Sequence, residues 1–182
     1  MSAKKKPDLK TLLKTASLPE RVVAIVMDRS LVADFQHAED ELTAAKEARV
    51  KDRRLGGKAV MDAARKVESI REQMRESTVE FTLRGMPASK WRALKAEHPI
   101  GDEPTPEDNM LGADMESLFD AAVRKSIVAP EVDDEDWDAL VEVLTDGEWQ
   151  RLVDAVYALN EQGTTIPFSR AASAALLSSD DD

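Results

Sequence analysis

The stretch STVEFTLRGMPASKWRALKAEHP, residues 77–99, places a strand pattern, a turn and a short helix directly after one another. Val79, Phe81 and Leu83 alternate with polar residues, which is the pattern of a half-buried strand. A glycine and a proline follow, and the helix after them ends before a second proline, because the residue before proline disfavours helical geometry. Since the neighbouring segments have helical patterns, this strand needs a partner elsewhere for its backbone hydrogen bonds.

That partner is predicted near the start of the chain. The sequence RVVAIVM, residues 21–27, is a short apolar run rich in β-branched residues and bounded by Pro19 and Asp28. Its length and composition favour a strand. We therefore expect residues 22–26 to pair with residues 79–83.

Two segments between these strands have apolar residues spaced by three and four positions. The first set is Leu31, Phe35, Ala38, Leu42 and Ala45, and the second is Val60, Ala63, Val67, Ile70 and Met74. Such a narrow apolar seam is typical of two helices that pack against each other. Residues 53–57 between them include two adjacent glycines, which favour a tight reversal. The pattern predicts an antiparallel helical hairpin with a two-stranded base.

The chain after Pro99 is predicted to form a small bundle of short helices. Residues 114–127, 133–144 and 148–162 have amphipathic helical patterns, whereas residues 100–112 favour a loop. The expected fold class is mostly α: an antiparallel helical hairpin with a small two-stranded β element, followed by the bundle. The predicted divisions are a basic flexible N-terminal tail at 1–19, a strand–helical hairpin–strand module at 20–86, an acidic helical domain at 87–163 and a flexible C-terminal tail at 164–182.

Charge is distributed unevenly along the chain. Residues 1–98 carry 21 Lys and Arg against 15 Asp and Glu, whereas residues 99–182 carry 4 against 21. The phosphate backbone of a nucleic acid repels the acidic residues 99–182. This argues against nucleic acid as the partner. No apolar run approaches the roughly 20 residues that a membrane-spanning helix needs, and no apolar segment of a signal peptide follows the basic start. We expect a soluble, intracellular protein that binds neither nucleic acid nor membrane.

The sequence contains no motif of catalysis, cofactor binding or metal binding. His37 and His98 are the only histidines, neither has a second ligand at metal-binding spacing, and there is no cysteine. We expect the imidazole of His98 to bond the last carbonyls of the helix that it ends. The acidic runs at residues 101–109 and 133–136 lack the ligand order of a calcium loop. P-loop, dinucleotide-binding and nucleophile-elbow motifs are also absent. The sequence thus favours a binding protein without enzymatic activity or cofactor.

Large aromatic residues are the best candidates for contacts with a partner, because tryptophan in particular is enriched at binding hot spots. The chain has few of them, and the candidate partner-binding residues are Trp91, Phe119, Trp137, Trp149 and Phe168. The three tryptophans also lie at core positions of predicted helices. Packing in the core is therefore the alternative interpretation of their role.

An ordered set of motifs covers most of the chain. LPERVV and REQMRESTVEF in the first half precede FTLRGMP at residues 81–87, which a W-x-x-L helix and His-Pro follow. DEDWDAL, LTDGEWQRL and PFSRAASA occur in that order in the second half. This set resembles the tail assembly chaperones of long-tailed, siphovirus-type phages of actinobacteria, which are the counterparts of the G protein of lambda-like phages.

The resemblance implies a non-enzymatic protein that is made during virion assembly in the host cytoplasm and is absent from the mature virion. It implies that the chain binds the tail tape-measure protein, keeps that long helical protein soluble and presents it to tail-tube subunits. A self-associating scaffold subunit of phage assembly, with the hairpin driving homo-oligomer formation, is the alternative. An acidic regulator of a nucleic-acid enzyme is a weaker alternative, because the carboxylates cluster at helix starts and loops and form no regular stripe.

Overall fold

The computed structural model describes residues 8–51 and 57–163. The described part is mostly α, with a helical hairpin, a small β element and short helices, as the sequence predicts. No helix within these residues is long and apolar enough to cross a membrane. The elements are α1 Leu9–Leu13, β1 Glu20–Val26, α2 Ser30–Lys51, α3 Lys58–Glu76, β2 Thr78–Arg84, α4 Ala88–Glu97, α5 Pro106–Leu111, α6 Met115–Ser126, β3 Ile127–Ala129, α7 Asp134–Val143 and α8 Asp146–Glu161.

The strands form one antiparallel sheet in the order β1–β2–β3. β1 and β2 pair over their full length, with Val22 opposite Thr82, so the predicted pairing of these strands is confirmed. The prediction of only two strands is wrong, because β3 pairs with the other edge of β2 and places Ile127 opposite Leu83. β3 could not be predicted because its three residues are too few to show an alternating pattern. Pro130, which follows it, indicates only a break in the preceding helix.

α2 and α3 form the predicted hairpin between β1 and β2. Lys66 and Glu41 make an ion pair of 2.8 Å across its two arms. Most of the predicted reversal at residues 53–57 lies outside the described residues. The hairpin has a narrow core of its own, whose buried members are Leu31, Ala38, Val67 and Ile70, with Phe35, Leu42 and Met74 packed against them.

The main core joins the sheet to the helices that follow it. Its sheet residues include Val23, Ile25, Phe81 and Leu83, and its helical residues include Trp91, Leu118, Phe119, Leu152 and Val156. The same core therefore contains residues from before and after position 86, where the predicted modules 20–86 and 87–163 meet. The sheet connects the two modules by packing directly on the acidic helices.

The segment predicted as a loop at residues 100–112 contains a short helix, α5. The Thr105 hydroxyl accepts the Asp108 backbone N–H at 3.1 Å, and the Asp108 carboxylate accepts the Thr105 backbone N–H at 2.8 Å. Pro106 occupies the first turn, and Gly112 ends the helix at φ 76°. The turn-forming residues that indicate a loop thus begin and end a helix of only six residues.

The predicted tails are described only in part. Residues 8–19 include α1, in which Leu9, Leu12 and Leu13 are all exposed. Residues 1–7 and 164–182 lie outside the described residues.

Candidate partner-binding groove

α7 and α8 form an apolar groove of about 440 Å³ on the acidic half of the chain. Val141 is 44% exposed, and Leu144 and Trp149 are half-buried, so a ligand in this groove can contact all three side chains. We call this surface the tryptophan groove. Its apolar lining is Trp137, Val141, Leu144 and Trp149, and its polar edge is Asp120, Thr145 and Asp146.

Two tryptophans form one wall of the groove. The rings of Trp137 and Trp149 meet edge to face, with centroids 6.2 Å apart. Trp137 is almost buried, and the Arg124 guanidinium lies 5.7 Å from the centroid of its ring. Arg124 also pairs with Asp134 at the start of α7, so the cation is held beside the indole. The Arg124 side chain therefore packs beside the Trp137 ring of this wall.

The start of α8, at the edge of the groove, is fixed by a capping box. The Thr145 hydroxyl accepts the Glu148 backbone N–H at 3.4 Å, and the Glu148 carboxylate accepts the Thr145 backbone N–H at 2.9 Å. Arg29, at the base of the hairpin, donates two further hydrogen bonds to that carboxylate, at 3.2 and 2.6 Å. The bonds from Arg29, and then the bond from the Thr145 backbone, lower the pKa of Glu148 from 4.5 to about 2. One ionised carboxylate thus links the hairpin base to the groove.

A second, acidic groove of about 740 Å³ adjoins the tryptophan groove and shares Asp120, Asp146 and Trp149 with it. Together the two surfaces place an apolar strip beside a field of negative charge. This combination suits a partner whose apolar side chains are flanked by Lys or Arg. The carboxylates that line the acidic groove are Glu103, Glu107, Asp108, Asp114, Glu116, Asp120 and Asp146.

Two of these carboxylates are engaged as helix caps. Asp108 is buried and accepts the backbone N–H groups of Met115 and Thr105, each at 2.8 Å, and these bonds hold its pKa below its ordinary value. Asp114 accepts the Ser117 hydroxyl at 2.5 Å and the Ser117 backbone N–H at 2.9 Å, which also lower its pKa. Within residues 8–51 and 57–163, no three His, Asp or Glu side chains are placed to hold a metal ion.

The structure brings together two of the five predicted partner-binding residues. Trp137 and Trp149 lie 12 positions apart in the sequence and share one groove. Phe168 lies outside the described residues.

Trp91 and Phe119, by contrast, pack in the main core, where they are 4% and 2% exposed. Their ring centroids are 6.3 Å apart, and the Trp91 indole N–H donates to the Glu161 carboxylate at 2.6 Å. Both side chains are buried under the neighbouring helices, and Phe119 also lies at the acidic groove. Trp91 therefore fits the alternative interpretation, in which a tryptophan packs in the core.

Val141 and Leu144 line the groove but are absent from the predicted set of partner-binding residues. The sequence shows them only as parts of the apolar stripe of residues 133–144. In the sequence, an apolar residue of a helical stripe looks the same whether it packs in the core or lines a groove. Val143, on the same helix and 47% exposed, does not line the groove and is a natural control.

Neither histidine belongs to this groove. His98 ends α4, and its Nδ1 lies 3.1 Å from the Ser117 hydroxyl oxygen of α6. The predicted bond from its imidazole to the last carbonyls of α4 is wrong in its partner, because the ring contacts the next helix while the backbone N–H bonds the Lys95 carbonyl at 3.1 Å. His37 is exposed on α2.

Comparison of the chain with protein-family models, curated proteins and solved structures finds no match. The function is therefore argued from the groove and from the motifs of the sequence.

Proposed function

We propose that this chain is a phage tail assembly chaperone that holds an amphipathic helical segment of the tape-measure protein in the tryptophan groove. The observation that carries the proposal is an open apolar groove with two tryptophans on a strongly acidic surface. The ordered motifs that resemble the tail assembly chaperones support it independently. Binding of this kind needs neither catalysis nor a cofactor.

The groove suits a helix better than an extended strand. An amphipathic helix presents apolar residues three and four positions apart, and such a stripe docks in a shallow apolar groove through a few anchors. Trp149 and Val141 offer exposed contact area on opposite helices, so one apolar stripe between them covers both. Asp120 and Asp146 at the edge would pair with basic residues that flank the stripe.

The physical task of such a chaperone is to cover apolar helical surface until the tail tube does so. A long helical protein with exposed apolar stripes aggregates unless those stripes are buried. The net charge of −11 keeps the complex in solution by mutual repulsion. In this proposal the chain acts in the host cytoplasm, passes the tape measure to tail-tube subunits and leaves before the virion is complete.

The test is co-expression with the tape-measure protein encoded in the same genome, followed by measurement of soluble tape measure. We expect the unaltered chain to keep it in the soluble fraction and Val141→Asp to fail, because a buried carboxylate opposes an apolar contact. Val143→Asp is the matched control, since this residue has the same type, helix and exposure but lies off the groove. Equal solubility with both variants, when both are folded, excludes the groove as the binding site.

A self-associating scaffold is the second candidate function, and the hairpin favours it. α2 and α3 have only a narrow core and leave Val32, Val50 and Met61 more than half exposed. A scaffold assembles by itself and leaves the tape measure insoluble. Sedimentation of the purified chain alone distinguishes the two, because the chaperone is expected to stay a small species over a wide concentration range.

A further inference from the structure

A second apolar groove, of about 470 Å³, lies on another part of the molecule, where the end of β2 meets α4 and β3. Met86 and Leu94 line it, and Leu18 and Val128 are 39% and 42% exposed at its edges. The proposed chaperone function does not use this surface. We call it the α4 groove.

The charged lining of the α4 groove is mainly basic. Its charged lining consists of three cations, Arg84, Lys90 and Lys125, against one carboxylate, Glu97. Arg84 pairs with Glu20 at 2.7 Å, and Lys125 lies 3.8 Å from Glu97, so both pairs are exposed and weak. An occupant of this groove should therefore carry apolar side chains and carboxylates.

The end of α8 lies beside this groove. Gly85, which lines the groove, packs so closely on α8 that a Cβ there would lie 3.0 Å from the Leu159 carbonyl oxygen. The Met86 backbone N–H also donates to the Asn160 side chain at 2.8 Å. α8 ends at Glu161, the residue after Asn160.

We propose that the C-terminal segment folds back and docks in the α4 groove of its own chain, with Phe168 on the apolar floor and Asp180, Asp181 and Asp182 near the cations. Phe168 follows Glu161 by seven positions. A fully extended chain of that length spans up to about 23 Å from the end of α8. The segment has the required chemistry, because apolar residues precede a run of three carboxylates.

Charge distinguishes this occupant from the other end of the chain. Residues 1–7 also connect to the groove, through α1 and Leu18, but they carry three lysines and no carboxylate. Three more cations beside Arg84, Lys90 and Lys125 would repel them. Charge therefore favours the C-terminal segment.

The test uses the full chain with one spin label. Because the chain has no cysteine, Ala171→Cys gives a single attachment site three positions from Phe168. We expect paramagnetic broadening of the amide signals of Lys90, Leu94 and Val128, with little effect on Val141 in the tryptophan groove. Broadening that centres on the tryptophan groove, or that favours no surface, overturns the proposal.

Two variants and a mixing control complete the experiment. Phe168→Ser, and separately Lys90→Glu with Lys125→Glu, should each abolish the broadening at the α4 groove while the rest of the spectrum shows an intact fold. Retention of the broadening in both overturns the assignment. Spin-labelled unenriched chains mixed with unlabelled ¹⁵N chains should show none, and broadening there indicates docking between molecules instead. No tape measure is present, so the result does not depend on the chaperone function.

Discussion

At the scale of single residues, we expect Glu148 to make the stability of the fold depend on pH. Its folded pKa of about 2 lies below its ordinary 4.5, because Arg29 and the Thr145 backbone donate to it. A lowered carboxylate pKa stabilises the fold above about pH 5, and this contribution is lost as pH falls from 4.5 towards 2. We expect Glu148→Gln, which preserves the capping box, to cost about 1–2 kcal/mol at neutral pH and to flatten the acid slope. Urea unfolding at a series of pH values measures both.

Arg29→Met is the companion variant for that measurement. If the ion pair carries the effect, the double variant should lose little more stability than either single variant. Additive losses would show that the two side chains act through other contacts.

Ser126 is a second residue with a measurable energetic consequence. Its side chain is 1% exposed, and its hydroxyl has no hydrogen-bond partner among the described residues. Removing an unsatisfied buried hydroxyl from a helix end should raise the free energy of unfolding by roughly 1 kcal/mol. We expect Ser126→Ala to melt higher than the unaltered chain, whereas Ser117→Ala, which removes the hydrogen bond to Asp114, should melt lower. A loss of stability in Ser126→Ala would mean that this hydroxyl has a partner.

At the scale of elements, the hairpin should open independently of the main core. Its buried residues form a cluster separate from that core. Ile70→Ala should cost the hairpin about 2–5 kcal/mol and accelerate amide hydrogen exchange in α2 and α3, while protection of α8 stays unchanged. Val32→Ala, at an exposed position of α2, is the control and should alter neither. Equal acceleration in α8 would show that the hairpin and the main core unfold together.

The sequence predicts long elements well and short ones poorly. β1 and β2 were predictable because seven residues suffice to show alternation, and the hairpin because its apolar spacing persists for several turns. β3 and α5 are too short to carry a period. The candidate site was predictable only in part, because Trp91 and Trp149 occupy equivalent helix positions. Trp91 is buried and Trp149 is half-buried because of how other parts of the chain pack around them. Those parts are distant in the sequence.

At the scale of the whole molecule, apolar contact should dominate binding to the tape measure. We expect modest, reversible affinity, because the chaperone must release its partner. In about 1 M salt, screening should weaken the contribution of Asp120 and Asp146 but leave most of the apolar contact. Titration calorimetry at low and high salt measures the difference, and complete loss of binding at high salt would contradict the apolar groove as the main contact.

The position of β1 in the sheet has a consequence for the order of events during synthesis. Val23 and Ile25 of β1 share the main core with Leu152 and Val156 of α8, and Arg151 donates to the Ala24 carbonyl of β1 at 2.9 Å. A ribosome releases these segments more than 120 residues apart. The hairpin and the β1–β2 pair can therefore form on the nascent chain, but the core contacts between β1 and α8 must wait for α8 to emerge. The tryptophan groove is built partly on α8, so it forms only after α8 has emerged. An incomplete chain therefore lacks this binding surface.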